Sequence, residues 1–579
     1  MGAYTWLSHA GGMNMAANRR ASALEDEVYY LANATVRSGW AETRPAIQLV
    51  KTLWDDDAQL AFQYGRMQGA GFYSCSAGSF IVYAVEGDIL LYDIGSRTMM
   101  KAGLDKRPFS AASPFVWFCQ RGKYMIAQDG TSPPVVLNGR KATQGTNPTR
   151  EVPTGMMMAN GWGRLAVVAP NRRWIYFSNH ESDPQSKSPL AFTEDTAYYL
   201  NTKYFEVSSS LGHIVGMAFA PSLNGGNELG PLTVFCENGV VAYDISVARD
   251  QWALTDITTT IFTTIGACAH GAIVARGNDI LFSDQNGRIQ TLRNAISRQE
   301  DASIAITDRN VWPLYEHEER SLRSRRMSVR FAQRTLTAVL PEKMRTNRGD
   351  IAVRHRGIIA LQETPAIQRN PVWDGVWTGV QPTNIITATV NGIERCFIAS
   401  LDDDGIQRLY ELTAESGADH GEHSHSPIPM IVGLAGNDLG VPFLPKPHKS
   451  AVMRLGAIAG HVGITGYWQQ DRGTPQPWFT ASESAISCIR GSAAGIEFPA
   501  PQARPRLNLP SPAKSTAYYE VAPWFKISGQ ARLEEVTVEA TDPKPKPDSV
   551  DVSCAKAKTA AVYGCAPSPF DYRIHAPAS

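Results

Sequence analysis

The sequence has few cysteines, and none of them forms a paired motif. Eight cysteines are spread over 579 residues without a Cys-x-x-Cys pair, which argues against a zinc ribbon or a thioredoxin-like redox site. We expect reduced cysteines that pack as small apolar side chains. The first residues show no basic segment followed by an apolar core, so no secretory signal is predicted. The chain is therefore expected to fold in a reducing cytoplasm.

Long apolar runs and a net charge are also missing. No stretch approaches the ~18 consecutive apolar residues that a membrane helix needs, so membrane insertion is not expected. Lys+Arg and Asp+Glu both number 55, giving a formal net charge of zero, and no global attraction to nucleic acid or to an anionic membrane follows. With 48 glycines and 36 prolines, the composition indicates many turns.

Motifs of the common enzyme classes are absent from the sequence. There is no Gly-x-Ser-x-Gly elbow, no Walker loop and no His-Glu-x-x-His pair. Residues 283–287 (Ser-Asp-Gln-Asn-Gly) come nearest to the Ser-x-Asp-x-Gly box of sialidase-like propellers, but Gln285 stands where that box needs Asp. We therefore expect no catalytic residue, no cofactor and no enzymatic activity.

Three clusters contain residue types that can bind metals. His420, His423 and His425 lie around Glu422 in the sequence HGEHSH, a spacing at which imidazoles can meet one ion, although the glycines and serines around them favour a solvated loop. Two acidic triplets, residues 55–57 and 402–404, lack the alternating oxygen ligands of a calcium loop and are interpreted as turn residues. No metal site is predicted.

Short β-branched and aromatic runs separated by turn residues dominate residues 60–500 and predict β-hairpins. The clearest hairpins turn at Asn238-Gly239, Asn286-Gly287 and Asn391-Gly392, and at Asn238-Gly239 we predict a type I′ turn. A further turn follows at residues 402–405. Weaker hairpins are predicted at residues 80–94 around Glu86-Gly87-Asp88, at residues 124–137 around Asp129-Gly130, and at residues 165–177 around Asn171.

The spacing of the turns predicts the fold class. Asp88, Asn138, Asn238, Asn286 and Asn391 are 50, 100, 48 and 105 residues apart, close to multiples of the ~50 residues of a four-stranded propeller blade. We predict an all-β protein built as an irregular β-propeller of roughly six to eight blades. A pair of β-sandwiches is the alternative. The best helical signal covers residues 21–31.

Composition divides the chain into four segments. Residues 1–50 are predicted to be an N-terminal arm with a first strand, and residues 51–500 the propeller with insertions. Prolines between 501 and 516 mark the exit into a small β region, residues 501–541. Residues 542–579 form a Pro-rich spacer and an extended C-terminal tail.

One segment has a strong local charge. Residues 317–356 contain eleven Arg or Lys against four Asp or Glu, a balance of +7 in a neutral chain. Such segregation suits head-to-tail packing of identical subunits, because a basic face of one can meet an acidic face of the next. We expect the segment to face a neighbouring subunit or a lumen. A solvated loop face is the alternative.

The order of features in residues 11–50 resembles the opening of a known family. Gly11-Gly12 is followed by an acidic helix-compatible run, then by Asn33, Gly39, Arg44-Pro45 and the apolar residues 46–50. This order is similar to that in the tail nozzle proteins of short-tailed bacteriophages, the tubular tail protein B family of tail-stabilisation proteins. Further similar strand and turn signatures lie at residues 174–178, 189–192, 213–217, 232–235 and 265–287.

The resemblance covers residues 11–295 and implies a function. It implies a structural virion protein that forms the tail nozzle, a homohexameric ring below the portal and adaptor through which double-stranded DNA passes at genome ejection. Implied partners are the portal or adaptor and the tail fibre or tailspike proteins, and the implied location is the virion tail after assembly in the bacterial cytoplasm. The alternative is a monomeric propeller that binds or hydrolyses a surface glycan.

Overall fold

A computed structural model describes most of residues 2–541. The residues outside this description are 1, 8, 10, 16–25, 37, 105, 146–150, 182–187, 189, 193–203, 222–228, 247–248, 250–251, 253–256, 263–264, 277–278, 293–310, 312–313, 315–317, 364–371, 417, 422–424, 440–445, 472, 486–487, 491–496, 500–505, 513–517 and 542–579. The predicted Pro-rich spacer and C-terminal tail therefore lie outside the described residues.

The described part of residues 1–50 consists of short strands. They are β1 (Gly2–Trp6), β2 (Gly12–Met13), β3 (Glu27–Val28), β4 (Tyr30–Ala32), β5 (Ala34–Thr35), β6 (Ala41–Thr43) and β7 (Pro45–Leu49). The predicted helix at residues 21–31 is wrong in its described part, because residues 27, 28, 30 and 31 are in strands. Their extended backbone hydrogen-bonds to other segments, which overrides the weak local helical preference.

Five sheets of three to five strands follow in chain order. The single α-helix of the described residues, α1 (Asp56–Tyr64), packs on the first of them. The first sheet contains β8 (Leu53–Trp54), β9 (Met67–Cys75), β10 (Gly78–Val85), β11 (Asp88–Asp93) and β12 (Thr98–Lys101), and the second contains β13 (Trp117–Arg121), β14 (Tyr124–Gln128), β15 (Val135–Asn138) and β16 (Lys141–Gln144). The third contains β17 (Met158–Gly161), β18 (Arg164–Val168), β19 (Trp174–Phe177) and β20 (Tyr204–Glu206), and the fourth contains β21 (Ile214–Pro221), β22 (Leu229–Cys236), β23 (Val240–Tyr243) and β24 (Thr258–Phe262). The fifth contains β25 (Val274–Arg276), β26 (Asp279–Ser283) and β27 (Ile289–Thr291).

The remaining strands complete the propeller and build a second, larger sheet. They are β28 (Ser328–Phe331), β29 (Arg334–Arg345), β30 (Ile351–Gln362), β31 (Trp373–Trp377), β32 (Pro382–Val390), β33 (Ile393–Leu401), β34 (Gln407–Ser416), β35 (Ala418–His420), β36 (His425–Pro427), β37 (Pro429–Gly433), β38 (His448–Gln470), β39 (Gln476–Ala485), β40 (Cys488–Arg490), β41 (Glu497–Pro499), β42 (Arg506–Leu509) and β43 (Val521–Ala540). Three short 3-10 helices cover Ser209–Leu211, His270–Ala272 and Arg320–Arg325.

Six separate sheets are arranged as the blades of a β-propeller. The sixth blade contains β32, β33, β34 and β7 in that order. The innermost strands of the blades contact one another around a closed ring, and between the fifth and sixth blades the ring position is occupied by β28, the first strand of the large sheet. The predicted β-propeller class is therefore confirmed. The innermost strands begin at residues 67, 117, 158, 214, 274, 328 and 382, so their spacing agrees with a period near 50 residues.

The N-terminal strand β7 closes the propeller. It pairs antiparallel with β34, with Leu49 opposite Tyr410 and Ile47 opposite Leu412, and so supplies an outer strand to the last blade. Pro45 starts this strand, where the missing N–H of proline is tolerated and the residue before it is extended. Because residues near the two ends of the propeller sequence share one blade, the ring cannot open without separating this pair of strands.

The large sheet combines both ends of the described chain. Its thirteen strands run β28-β29-β30-β31-β4-β37-β43-β38-β39, with β1, β5, β6 and β42 attached to this path. The long strands β38 and β43 pair from His448 opposite Ala540 to Gln470 opposite Val521, with several bulges. This topology divides the chain differently from the predicted segments, since β37–β39 and the N-terminal strands belong to one sheet with residues 521–540.

A buried hydrogen-bond network, the Arg44 hub, joins the propeller to the large sheet. The Arg44 side chain is fully buried and donates from Nε to Asn33 Oδ1 at 2.9 Å, and from Nη1 and Nη2 to the two carboxylate oxygens of Asp419 at 2.9 and 2.6 Å. It also donates to the carbonyls of Pro45 and Thr378 at 2.8 Å each. All five guanidinium donors therefore have acceptors.

Asn33 holds the other side of the Arg44 hub. Its backbone lies at φ 52°, a left-handed conformation that Asn tolerates better than most residues. Its amide nitrogen donates to Thr378 Oγ1 at 2.8 Å and to the carbonyl of Pro429 at 3.1 Å. The hub thus links residues that are far apart in sequence, and a fully satisfied buried network of this kind specifies one arrangement of the segments it joins.

The predicted hairpins are confirmed, but one turn type is wrong. At Asn391-Gly392 both residues have positive φ, 51° and 78°, and Val390 pairs with Ile393, as in a type I′ turn. At Asn238-Gly239 neither residue has positive φ. There the loop is wider, because Phe235 pairs with Val240 and the N–H of Asn238 donates to the carbonyl of Leu211 in a neighbouring loop.

Substitution of Gly392 tests the confirmed turn. A Cβ at Gly392 would meet no atom within 4 Å, so Gly392→Val adds only the strain of a β-branched residue at φ 78°. We expect a loss of about 1–3 kcal/mol in the free energy of unfolding, measured by urea denaturation. Gly463→Val in β38 is the matched control, since that site is equally open without positive φ. Equal stability of the two variants would contradict the type I′ assignment.

Candidate functional site

A central cavity opens between the innermost strands of the propeller. Its volume is about 900 Å³, which lies in the range of ligand pockets. The segment that connects the fifth blade to β28 places the 3-10 helix Arg320–Arg325 in its wall. The lining residues come from many parts of the chain: 66–70, 114–118, 156–157, 172, 215, 237, 268–271, 285, 321–322, 324–327, 343, 351, 353, 355 and 383–384.

The cavity wall contains more cations than anions. Two of its cations have carboxylate partners at the rim: Arg172 Nη2 lies 3.3 Å from Glu237 Oε1, and Lys343 Nζ lies 3.5 Å from Glu319 Oε1. Arg172 also donates from Nε to the carbonyl of Ile214 at 3.1 Å. Burial alone would raise the pKa of the Glu237 carboxyl, but hydrogen bonds from His213 and the charges of Arg172 and His213 together lower it. This carboxylate is therefore ionised at neutral pH.

Arg66 and Arg325 lie against the same loop of the cavity wall. Arg66 Nη2 donates to the carbonyls of Ala111 and Ser113, the latter at 2.9 Å. Arg325 Nη1 donates to the carbonyl of Pro114, and the Arg325 guanidinium carbon lies 4.2 Å from the centre of the Phe115 ring, a cation–π contact. Burial, with a smaller contribution from the charge of Arg66, lowers the pKa of Arg325 to about 10.

A buried ion pair holds the base of the 3-10 helix. Arg326 Nε and Nη2 donate to the two oxygens of Glu318 at 2.9 and 2.7 Å, and both side chains are fully buried. Arg326 also donates to the carbonyl of Gly287. This bidentate pair fixes the Arg320–Arg325 helix on the fifth blade, and so determines where Arg325 enters the cavity.

Two other groups of the wall are held in their neutral forms. His355 is buried, and burial lowers its pKa to about 3, while its Nε2 lies 3.2 Å from the carbonyl of Arg325. Burial also raises the pKa of Cys268 to about 12, so the thiol stays protonated at neutral pH and is a poor nucleophile. In the described part of the wall, the charged groups that reach the cavity are thus mainly guanidinium and ammonium groups.

Most cations of the predicted basic segment have acidic partners within the chain. Of its eleven Arg and Lys residues, eight lie within 4.0 Å of a carboxylate, namely Arg323, Arg326, Arg330, Arg334, Lys343, Arg348, Arg354 and Arg356. Their partners include Glu86, Glu363 and Asp374, which lie outside the segment. The balance of +7 already counts the acids inside the segment, so these partners from elsewhere in the chain neutralise about half of it.

The sequence-predicted clusters are placed as follows. For residues 55–57 the turn interpretation is wrong, because Asp55 precedes α1 and Asp56 and Asp57 lie in the first turn of this helix, where acidic side chains are favourable. Asp402 caps a turn, since its Oδ1 accepts from the N–H of Ile406 at 2.8 Å, which confirms the turn interpretation. The backbones of His420 and His425 pair between β35 and β36, but their side chains and His423 are outside the description. No cluster of three or more metal-ligating side chains occurs among the described residues.

The Asp-box-like residues 283–287 form a hairpin turn. Asp284 Oδ1 accepts from the N–H groups of Asn286 and Arg288 at 2.8 and 2.9 Å, and Gly287 has φ 81°. The Asp284 carboxylate is therefore occupied by hydrogen bonds within the turn. Sequence reasoning singled out Arg325 only as part of the basic segment and missed Arg66 and Phe115. The three residues lie in separate segments with no common motif, and only the ring of blades brings them together.

Comparison with known proteins yields no family assignment. No family model and no curated protein matches the sequence. Solved β-propeller structures are similar to parts of the chain. BamB from Moraxella catarrhalis has 11% identity and a TM-score of 0.32, over 62% of this chain and 84% of that one. YCF48 bound to D1 peptide has 9% identity and a TM-score of 0.34, over 61% and 93%.

A third similar structure is BBS1N in complex with ARL6DN, with 12% identity and a TM-score of 0.34 over 65% of this chain and 99% of that chain. At these identities the similarity concerns the fold alone. Separately, none of the helices in the described part of the chain has the length and apolar character needed to cross a membrane.

Proposed function

We propose that this protein is the tail nozzle of a short-tailed bacteriophage, a structural subunit of a ring below the portal and adaptor. The observation that carries the proposal is the order of features in residues 11–50, which resembles the opening of that family. Two of these features, Asn33 and Arg44, belong to the Arg44 hub. A buried joint between two β units suits a structural subunit, because the function of such a subunit depends on a fixed relative position of its parts.

The architecture is compatible with a rigid structural subunit. The propeller and the large sheet are connected at two places, because β28 of the large sheet occupies a position in the propeller ring and the Arg44 hub joins the two units. Within the proposed ring, six identical subunits surround a lumen that passes double-stranded DNA. Portal or adaptor proteins contact one end of this ring and fibre or tailspike proteins its outside. The proposed site of action is the virion tail, after assembly in the bacterial cytoplasm.

The mass of the purified protein tests the proposal. A nozzle is expected to form a particle of about six times the 63.2 kDa of one chain, measured by multi-angle light scattering, with a ring visible by electron microscopy. If the ring assembles only on its binding partners, addition of the portal and adaptor proteins of the same phage should induce assembly. A 63.2 kDa monomer that stays monomeric with those proteins, and that binds or cleaves a surface glycan, would favour the alternative.

Two exposed cations of the basic segment allow a sharper test of ring contacts. Arg320 and Arg345 are exposed and have no carboxylate partner among the described residues. We expect the double variant Arg320→Glu with Arg345→Glu to lower the fraction of rings at physiological salt, because charge reversal opposes an acidic face of the neighbour. The control is Lys51→Glu with Lys106→Glu, at two exposed positions on the first blade. Equal ring fractions in both variants would assign the segment to a solvated face.

A further inference from the structure

The wall of the central cavity carries two guanidinium groups that no carboxylate neutralises within the described residues. Arg66 precedes β9, and Arg325 ends the 3-10 helix Arg320–Arg325; both contact carbonyls of the loop at residues 111–114. The other cavity cations behave differently, since Arg172, Arg326 and Lys343 each have a carboxylate partner. Arg66 and Arg325 therefore differ from the paired cations around them.

Two like charges at one desolvated wall are unfavourable unless an anion joins them. Arg66 is half-buried, and both of its carbonyl contacts among the described residues use Nη2, so Nη1 retains its N–H donors. Arg325 uses one of its terminal nitrogens for the carbonyl of Pro114, which leaves further N–H groups. An oxyanion placed between the two side chains would satisfy these donors with charge-assisted hydrogen bonds and would remove the repulsion.

Part of the cavity wall that contains the two arginines is apolar. Phe115 lies under the Arg325 guanidinium, and Trp117, Met67, Met156 and Met157 line the same cavity. Methionine and aromatic side chains suit an apolar or aromatic group of a ligand. A cavity of about 900 Å³ is larger than a bare phosphate needs and has room for such a group.

We propose that the central cavity of the propeller is a binding site for a small organic anion, whose phosphate or carboxylate group is held by Arg66 and Arg325 and whose apolar part contacts Phe115 and the neighbouring methionines. This site is independent of the proposed nozzle function, because it lies within one subunit and requires no ring. A ring-forming protein without the site, or a monomer with it, would separate the two proposals.

Thermal melting of the full chain with defined probes tests the site. Phenyl phosphate is expected to raise the Tm in a saturable manner, beyond the effect of sodium chloride at equal ionic strength. Benzoate tests whether the bound anionic group can be a carboxylate, and benzyl alcohol serves as the uncharged probe. Saturable stabilisation by either anionic probe supports the proposal. Stabilisation by benzyl alcohol equal to that of both anions would overturn it, as would shifts no larger than those of the salt.

Variants connect the binding to the two side chains. Arg325→Gln is expected to weaken phenyl phosphate binding at least tenfold in isothermal titration calorimetry, and Arg325→Lys to weaken it less, because charge is kept but the planar donor pair is lost. Arg107→Gln, a half-exposed arginine paired with Asp88 on the first blade, is the matched control. Unchanged affinity in Arg325→Gln and in Arg66→Gln, with both variants folded by their melting curves, would overturn the assignment.

Discussion

Replacement of Arg44 by methionine is expected to lower the free energy of unfolding by about 3–5 kcal/mol. The side chain is fully buried, and its removal takes the cation from the Asp419 carboxylate and one of two donors from Asn33 Oδ1, which keeps the N–H of Thr378 at 2.7 Å. Asp419 would keep the N–H of Ile47, at 2.9 Å, but no cation in place of Arg44. Because β7 closes the propeller immediately after Arg44, we expect urea denaturation to show earlier loss of the whole β signal.

A surface pair provides the control for this prediction. Arg356 donates from Nε to Glu342 at 2.7 Å but is 66% exposed in its side chain, and exposed ion pairs contribute little. Arg356→Met should therefore change the free energy of unfolding by less than ~1 kcal/mol. If Arg44→Met and Arg356→Met were equally mild, the Arg44 hub would not be the joint that holds the two β units together.

Acidification from pH 7 to pH 5 is expected to destabilise the protein through histidines whose pKa is lowered by burial, including His9, His270 and His355. Burial lowers the pKa of His9 to about 4 and that of His355 to about 3, whereas an unfolded histidine titrates near 6.5. The unfolded chain therefore binds more protons below pH 6.5. The stability that these groups contribute is fully present above pH 6.5 and is lost as the pH falls toward their folded pKa values.

The magnitude follows from the linkage of protonation to folding. At pH 5 each histidine should cost about 2 kcal/mol, because the unfolded state gains a proton that the folded state does not bind. Urea denaturation between pH 7 and pH 5 measures this slope before carboxylates begin to titrate. His9→Gln and His355→Gln should each flatten the slope. An unaltered slope in both buried variants would contradict the prediction.

Local structure was predictable wherever the signal was local. The hairpins at Asn286-Gly287 and Asn391-Gly392 were correct because glycine at positive φ directs a tight turn in any context. The turn at Asn238-Gly239 was predicted with the wrong type, because its loop hydrogen-bonds to a neighbouring loop. The helix at residues 21–31 was wrong in its described part for a related reason, since strand partners elsewhere in the chain determine that backbone.

The spacing of the turns led to the correct fold class, although the turns do not occupy equivalent positions in their blades. The turns near residues 88, 238 and 286 join the second and third strands of their blades, but the turn at 138 joins the third and fourth strands and that at 391 the first and second. The true regularity lies in the innermost strands, whose starts are 41 to 60 residues apart. Because the sequence has no residue-level repeat, this period is recognised only from the positions of the strands themselves.

The sequence by itself determined the all-β class, the hairpins and the approximate blade period, because turn residues and strand patterns act between neighbours along the chain. Only the tertiary structure decided which charges are neutralised, since the partners of Arg334, Arg348 and Arg44 lie 40, 262 and 375 residues away. It also decided where the propeller closes and which residues line its cavity. These properties depend on distances in space, and pairwise electrostatics and packing act over a few ångströms regardless of separation along the chain.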